Sequence, residues 1–380
     1  MQSVDTSTYS LSDVFAFGYR NVLKPLFFRF DPELIHEMHM NAGETAGKYQ
    51  FTRTLTSMFF NYQDVKLRQT LAGTAFSNPI GLAAGFDYEA KLTQILPNIG
   101  FGFGSVGTIT HHAYAGNPKP RLGRLPKSRS ILVNKGFKNL GAKTTANKLK
   151  KYSFAVPIGV SIGQTNSPEV NTQQKAIADI LYAFQEFETQ NVQNAYYELN
   201  ISCPNLSSPV SFYSPKNLNH LLKEVDRLKL NKPLFIKMPI KLTNKETLAL
   251  CETISKHSPK GIILGNLQTN RHHPAIDQTE AAKFSIGNFS GKPTFERSNE
   301  LIAFSFKHFK KRLIIIGCGG VFNADDAFAK IAAGASLVQL ITGMIFEGPQ
   351  LIGQINLGLT NILTTKGLKN IHEAIGIDHQ

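Results

Sequence analysis

The chain has 380 residues, 42% of them hydrophobic, with 30 glycines, 18 prolines and a formal net charge of +14, which is the composition of a globular protein with a sizeable core and not of a disordered or fibrous one. Its three cysteines, Cys203, Cys251 and Cys318, have spacings that fit neither a disulfide framework nor a zinc site, so a reducing compartment and no metal are expected. The basic excess calls for nucleic acid, anionic lipid or a phosphate-bearing cofactor, unless it is only a diffuse surface charge.

The first five residues lack the basic start and apolar stretch of a signal peptide, and they are not Arg-rich like a transit peptide. No run of about eighteen apolar residues is present, so nothing is expected to span a bilayer. Residues 1–70 read as a helical extension. Residues 13–30 set Val14, Phe15, Phe17, Val22, Leu23, Leu26, Phe27 and Phe28 against Arg20, Lys24 and Arg29. Asp31-Pro32-Glu33 then opens a second helix carrying His36, Met38 and Met40, with Asp31 as cap and Pro32 in the first turn. Such a pair suits a membrane interface or the mouth of an apolar ligand site. The competing expectation is a helix plugging the bottom of the following domain.

Residues 71–380 read as that domain. Apolar or β-branched runs recur at 79–84, 103–109, 157–162, 195–201, 234–238, 261–264, 313–316 and 337–340, apolar almost throughout, as strands covered on both faces should be. Helical patterns follow at 88–96, 142–151, 173–188, 217–228, 245–256, 295–309, 324–333 and 349–363. Alternation of this kind predicts an α/β fold, a (β/α)8 TIM barrel, with a doubly wound open sheet as the alternative. Two connections, 110–140 and 266–294, are long enough to be functional lids. The first is basic, with Lys119, Arg121, Arg124, Lys127, Arg129, Lys135 and Lys138.

Chemistry-bearing residues gather where strands should end. The fourth strand runs into Asn200-Ile201-Ser202-Cys203-Pro204-Asn205, two amides and a thiol on the face where barrels carry their chemistry. A thiol there can remove a proton while the amides grip a planar polar ring; the alternative is a half-buried packing cysteine. Ile316-Gly317-Cys318-Gly319-Gly320 and Leu340-Ile341-Thr342-Gly343 are glycine turns after strands seven and eight, where backbone N–H groups can cradle a phosphate. Lys237 is a charge inside an apolar strand, either facing the mouth or snorkelling to the rim. Ser290-Gly291-Lys292 marks a close backbone approach. Asn134, Asn139, Asn200, Asn205 and Asn266 supply donors and acceptors, though each alone also suits a turn.

From about residue 28 to 357 the chain resembles the dihydroorotate dehydrogenases. The resemblance is carried by Phe30-Asp31-Pro32-Glu33 with His36, by residues 78–87 (NPIGLAAGFD), Val106-Gly107-Thr108-Ile109-Thr110, and residues 116–121 (GNPKPR). Residues 200–205, Phe289-Ser290-Gly291-Lys292-Pro293 and residues 332–339 (AAGASLVQ) add to it. The extension resembles that of the membrane-associated, quinone-using class.

This resemblance implies FMN in the barrel mouth and oxidation of dihydroorotate to orotate in pyrimidine synthesis, with quinone as acceptor. By position, Cys203 is the base that takes the C5 proton, and Asn134, Asn139, Asn200, Asn205 and Asn266 hold the substrate. Ala84, Gly85, Thr108, Ser161, Lys237 and Ser290 contact the flavin. Gly291, Gly319, Gly320, Thr342 and Gly343 surround its phosphate, and His36 and Arg124 fall near the quinone path. The implied protein is a monomer, peripheral to an anionic bacterial inner membrane on its cytoplasmic face, and binds no nucleic acid.

Four positions depart from the quinone class. Cys203 stands where that class has Ser, as in the soluble class; Tyr88 replaces an expected Lys; Lys135 replaces an apolar residue, with Asn134 one place closer to Gly136-Phe137; and Ile341 stands where a Tyr is common. Lys135 or Lys91 is the candidate to restore the charge missing at Tyr88. A soluble acceptor such as fumarate is the alternative favoured by Cys203, with cytoplasmic location. A non-catalytic flavin-binding protein at the membrane is the one favoured by Tyr88. A flavin enzyme acting on uridine in RNA would suit the charge, but few residues follow Gly348 to form an RNA-binding domain.

Overall fold

Eight parallel strands close on themselves in the computed structural model, which describes residues 6–379, with side chains from residue 12. Residues 1–5, on which the expected lack of a leader rests, lie outside the described residues. The strands are β1 (Ile80–Leu82), β2 (Phe103–Ile109), β3 (Ile158–Ile162), β4 (Tyr196–Asn200), β5 (Leu234–Met238), β6 (Gly261–Leu264), β7 (Ile314–Cys318) and β8 (Leu337–Leu340). They pair in chain order, and Val338 of β8 lies opposite Ile80 of β1. That pairing makes the fold a (β/α)8 barrel and removes the edges an open sheet would keep.

Strand alternation explains the interior. Phe103, Tyr196, Phe235 and Leu337 point inward near the strand starts and pack with Phe76 into one aromatic-aliphatic layer. Phe76 belongs to a hairpin, Gln69–Leu71 paired with Thr74–Phe76, whose two-residue turn Ala72-Gly73 has positive φ at both positions (48° and 79°). This hairpin closes the bottom, so the helical pair does not. Two residues further up, Glu198 accepts from Ser105 Oγ and from Gln339 Nε2 (2.7 Å), forming a buried polar layer. Two further still are Asn200 and Lys237, register partners on β4 and β5.

Most predicted helices form within a residue or two of their expected bounds, for example Phe295–Phe309 and Ala142–Leu149. Residues 88–96 do not. Asp87 takes the backbone N–H groups of Lys91 and Leu92 (2.8 Å each), Ala90 has φ 54°, and only Leu96–Ile99 is helical. A local carboxylate outcompetes the helical ladder there. The last predicted helix, 349–363, forms as Leu351–Thr365, and a short helix that was not expected, Thr342–Glu347, precedes it and ends at Gly348 (φ 106°).

The extension comprises α1 (Thr6–Gly18), continued by a π-helical turn at Tyr19–Leu23 and by Lys24–Phe27, then α2 (Pro32–Lys48) and α3 (Gln50–Phe60). Asp31 caps α2 by accepting from Glu33 N and Leu34 N, both at 2.9 Å. The pair lies at the C-terminal end of the barrel. Glu33 reaches from α2 to Arg121 (3.2 Å) and Lys138 (3.3 Å) of the loop after β2. That loop is no structureless lid. Leu122–Leu125 and Ser130–Val133 form a hairpin, and Asn288–Phe289 of the second long connection adds a third strand. The basic set there is largely consumed internally. Arg129 pairs with Glu347, Lys127 with Asp277 (3.4 Å), and Arg124 Nη1 donates to Phe30 O (2.7 Å). Among the described residues no helix is long and apolar enough to cross a membrane.

Candidate active site

Between the barrel mouth and the helical pair lies a cavity of about 490 Å³, within the size range of ligand sites. The fold brings to its walls Ala84 and Gly85 after β1, Thr108 of β2, Asn200 of β4, and Cys203 and Asn205 just beyond. Lys237 of β5, Asn266 after β6, Ser290, Thr342, His36 of α2 and Arg124 complete the expected residues found there. Ile341 also lines it. The helical side is greasy, with Phe15, Leu23, Phe27 and Phe28.

The remaining expected residues sit behind this lining. Ser161 Oγ hydrogen bonds with Thr108 Oγ1 at 3.0 Å and so supports a wall residue. Asn134 accepts from Asn117 Nδ2 (3.0 Å). Asn139 is saturated within its own loop: it accepts from Thr110 N and Gly141 N and donates to Thr110 Oγ1 and Phe137 O. Gly291, Gly319, Gly320 and Gly343 lie beyond the strand ends, where a Cβ would strike protein atoms, as at Gly291 against Thr342 Cγ2 (2.7 Å) and Gly320 against Phe295 Cα (2.8 Å). Glycine at these four positions permits close packing of the loops.

Asn200 donates to Thr108 Oγ1 (2.8 Å) and accepts from Ser202 N (3.1 Å) and Ser202 Oγ (2.9 Å). Asn266 donates to the same Ser202 hydroxyl. Ser202, one residue before the thiol, thus ties the ends of β4 and β6 together. Asn205 donates to Val133 O (3.1 Å) and accepts from Asn288 Nδ2 (2.6 Å), while Asn117 donates to Asn205 O (2.9 Å) and accepts from Asn166 (2.9 Å). Ser202, Asn117, Asn166 and Asn288 were not singled out by sequence. Asn117 lies in the matched segment 116–121, and Ser202 lies in the hexapeptide itself; no local signal marked the other two.

Burial pushes the Cys203 thiol up to about 12, against the downward pull of the Asn205 backbone N–H and of Lys237. A modest downward shift would suit a base near neutrality; the shift here is upward, so the group rests as a thiol. Cys203 also lines a second cavity of about 250 Å³, enclosed by residues 204–213 and by Lys241. Lys237 is buried, and among the described residues no hydrogen bond or ion pair engages its ammonium.

The helix-facing wall differs from the thiol end. Tyr88 stacks on His36 (ring centroids 5.5 Å apart, 21° between planes), and His36 meets Phe86 edge-on at 4.8 Å. Lys135 Nζ stands 4.1 Å from the Tyr88 ring centroid, a cation–π contact. Burial pulls its ammonium down to about 7, with Glu33 opposing and Lys138 assisting. Burial, Lys135 and Lys138 hold His36 well below the ordinary histidine value, so its ring is neutral. Lys91 turns away, to Glu89 (2.8 Å) and Asn41 (2.9 Å). Of the two lysines considered for the charge missing at Tyr88, only Lys135 lines the cavity.

A family model described as dihydroorotate dehydrogenase matches residues 66–363. A protein of Trichodesmium erythraeum named dihydroorotate dehydrogenase (quinone) is 36% identical over 377 residues, spanning 94% of this chain and 98% of the relative. One of the same name from Christiangramia forsetii is 36% identical over 343 residues, spanning 89% and 97%. Among solved structures, that of DHODH from Eimeria tenella in complex with ferulenol has a TM-score of 0.80 at 28% identity, covering 92% of this chain and 96% of that one.

Proposed function

The chain belongs to the dihydroorotate dehydrogenase family, and on that premise we propose how its residues oxidise dihydroorotate to orotate in pyrimidine synthesis and pass the electrons to quinone. FMN is the flavin we assign to the cavity. The residues present fit a flavin. A Cβ on Gly85 (φ 112°) would point into open cavity, meeting only Ile341 Cδ1 at 3.9 Å, so the backbone can approach a flat ring. Lys237 supplies an unengaged buried ammonium, and Thr108, Ser290 and Thr342 supply hydroxyls. A flavin held there would supply the acceptor for the hydride leaving C6 of the substrate and the donor of electrons to the quinone.

In this reading Cys203 takes the C5 proton. Its resting thiol must release a proton to do so, and Lys237 favours the thiolate form. Asn200, Asn205 and Asn266 hold the substrate's carbonyl and N–H groups, with Ser202 fixing two of the three side chains; Asn134 and Asn139 act behind them by shaping the loop. Gly291, Gly319, Gly320 and Gly343, with Thr342, form the phosphate end. The observation that carries the proposal is that one thiol lies in the walls of two cavities, flanked by these amides and by Lys237. Dihydroorotate enters beside residues 204–213, and quinone enters between α1 and α2, past His36 and Arg124. Exposed Val14, Phe17, Val22, Phe51 and Met58 on the extension support peripheral docking on a membrane, which we assign to a monomer on the anionic cytoplasmic face.

Anaerobic mixing of the flavin-loaded protein with dihydroorotate tests this. Bleaching of the flavin, reversed by ubiquinone, is expected. Reoxidation by fumarate alone would transfer the protein to the soluble-acceptor reading that Cys203 suggests, and failure to bleach would refute the substrate.

A further inference from the structure

We propose that Lys135 is the hydrogen-bond donor that grips a carbonyl oxygen of the quinone, standing at the helix-facing end of the cavity on the ring of Tyr88. The inference rests on the reading above and deepens it, because it gives the acceptor a polar anchor in the cavity wall. Only 7% of Lys135 is exposed, yet its ammonium has no hydrogen bond or ion pair among the described residues. The one group engaging it is the Tyr88 ring, 4.1 Å away. An aromatic face holds a cation without using its N–H donors on an oxygen, so those donors stay available to a ligand. A buried charge left this way is costly and is accounted for by a ligand oxygen that completes it.

The natural protein partner is already taken. Glu33 spends its carboxylate on Arg121 and Lys138, and although burial raises its proton affinity, those two cations hold it below the usual carboxylate range. Lys135 is therefore not half of an ion pair waiting to close.

The charges that face it give its direction. They are Glu33, His36 and Glu37 of α2, Glu89 of the loop after β1, and Lys138 of its own loop. The charge felt by Cys203 is instead Lys237. Two unengaged lysines thus divide the cavity, Lys237 at the thiol end and Lys135 at the helix end. Beside Lys135 in the same wall, His36 Nε2 is buried with no partner. A quinone head group, a flat ring with carbonyl oxygens, presents an acceptor to Lys135 and, in the Nε2–H tautomer, to His36; its apolar tail matches Phe15, Leu23 and Phe27. Dihydroorotate, bound beside Cys203, is held by Asn200, Asn205 and Asn266, and Lys237 at that end is assigned to the flavin.

The test uses the flavin-loaded full chain and two variants, Lys135→Met, which keeps length and volume, and Lys135→Arg, which keeps charge. Decylubiquinone binding to the oxidised protein is measured by titration calorimetry, orotate binding by the flavin spectrum, and the two half-reactions by anaerobic stopped flow. For Lys135→Met the decylubiquinone Kd and the quinone KM rise roughly 10- to 100-fold, the loss of one hydrogen bond to a charged group. Orotate Kd and the rate of flavin bleaching stay within about twofold. Lys135→Arg recovers part of the quinone affinity. Weaker orotate binding with unchanged quinone binding would overturn the inference by assigning the ammonium to the substrate, and so would no change in either. If the parent protein is not bleached by dihydroorotate, the functional reading itself falls, an outcome separate from both.

Discussion

Replacing Lys135 by methionine should make the protein more stable, by an amount that depends on pH in a defined direction. Burial lowers the proton affinity of the ammonium from the ordinary lysine value of 10.5 to about 7. Each tenfold change is worth about 1.4 kcal/mol, which puts the cost of holding the charge inside at up to roughly 5 kcal/mol. Above pH 10.5 the amine is neutral in folded and unfolded chains, and the cost is absent. As the pH falls below 10.5 the unfolded chain takes up a proton that the folded chain refuses, so the cost grows until about pH 7 and is constant below. Lys135→Met removes it, less about 1 kcal/mol for the lost contact with Tyr88. Urea unfolding of parent and variant, both saturated with flavin, should show the variant ahead by about 4 kcal/mol at pH 6.5. At pH 9 the advantage should shrink to about 1 kcal/mol. A variant no more stable than the parent at pH 6.5, or an advantage that does not shrink at pH 9, would refute the assignment of a charged, unengaged lysine in this wall.

Other outcomes follow from the same geometry. Cys203→Ala should slow flavin bleaching by dihydroorotate about 100- to 10,000-fold in stopped flow, the usual worth of a positioned base. With the parent thiol raised to about 12, the bleaching rate should climb with pH through 9 without a plateau; a plateau near 7 would mean that substrate and flavin, once bound, lower the thiol far more than Lys237 alone does. Glu33→Gln should loosen α2, costing about 1–3 kcal/mol in unfolding free energy near neutrality through the unpaired Arg121 and Lys138. Since Glu33 is held below the ordinary carboxylate range, its contribution is present above that range and is lost as pH falls through the folded value, so the parent's acid-side loss should be smaller in the variant. Phe17→Ser with Phe51→Ser, at side chains 70% and 76% exposed, should weaken flotation with anionic vesicles at least tenfold, by the transfer energy of two phenyl rings. Bleaching by dihydroorotate should be unaffected.

The barrel was readable because its signal is redundant. Eight apolar runs buried on both faces mark a parallel sheet, four of the eight strands begin where the run begins and the other four begin one residue later; closure of the sheet, against the open alternative, is settled by the pairing of β8 with β1. What failed was local competition. Residues 88–96 carry a helical pattern, but Asp87 captures two of the backbone N–H groups that such a helix would need. That the two long loops pair with each other was not readable, because strand pairing across 155 residues, as between Val133 and Asn288, leaves no mark in either segment alone. At the site, the hexapeptide and Lys237 were visible from composition at a strand end, and both reach the cavity. Asn134 and Asn139 share their residue type with true lining residues, and only the three-dimensional course of the loop separates them. Lys135 was visible as an oddity; that its charge lies towards α2 and not towards Cys203 depends on packing that no spacing encodes.

The position of Cys203 between two cavities has a consequence for timing. If orotate departs beside residues 204–213 while quinone arrives between the helices, the two exchanges do not queue at one doorway. Saturating orotate would then compete with dihydroorotate and leave quinone entry untouched, and a bulky quinone lodged among the aromatic side chains would not trap the product. Turnover would be paced by whichever gate opens more slowly, and changes to the loop or to the helices would tune one half of the cycle without disturbing the other.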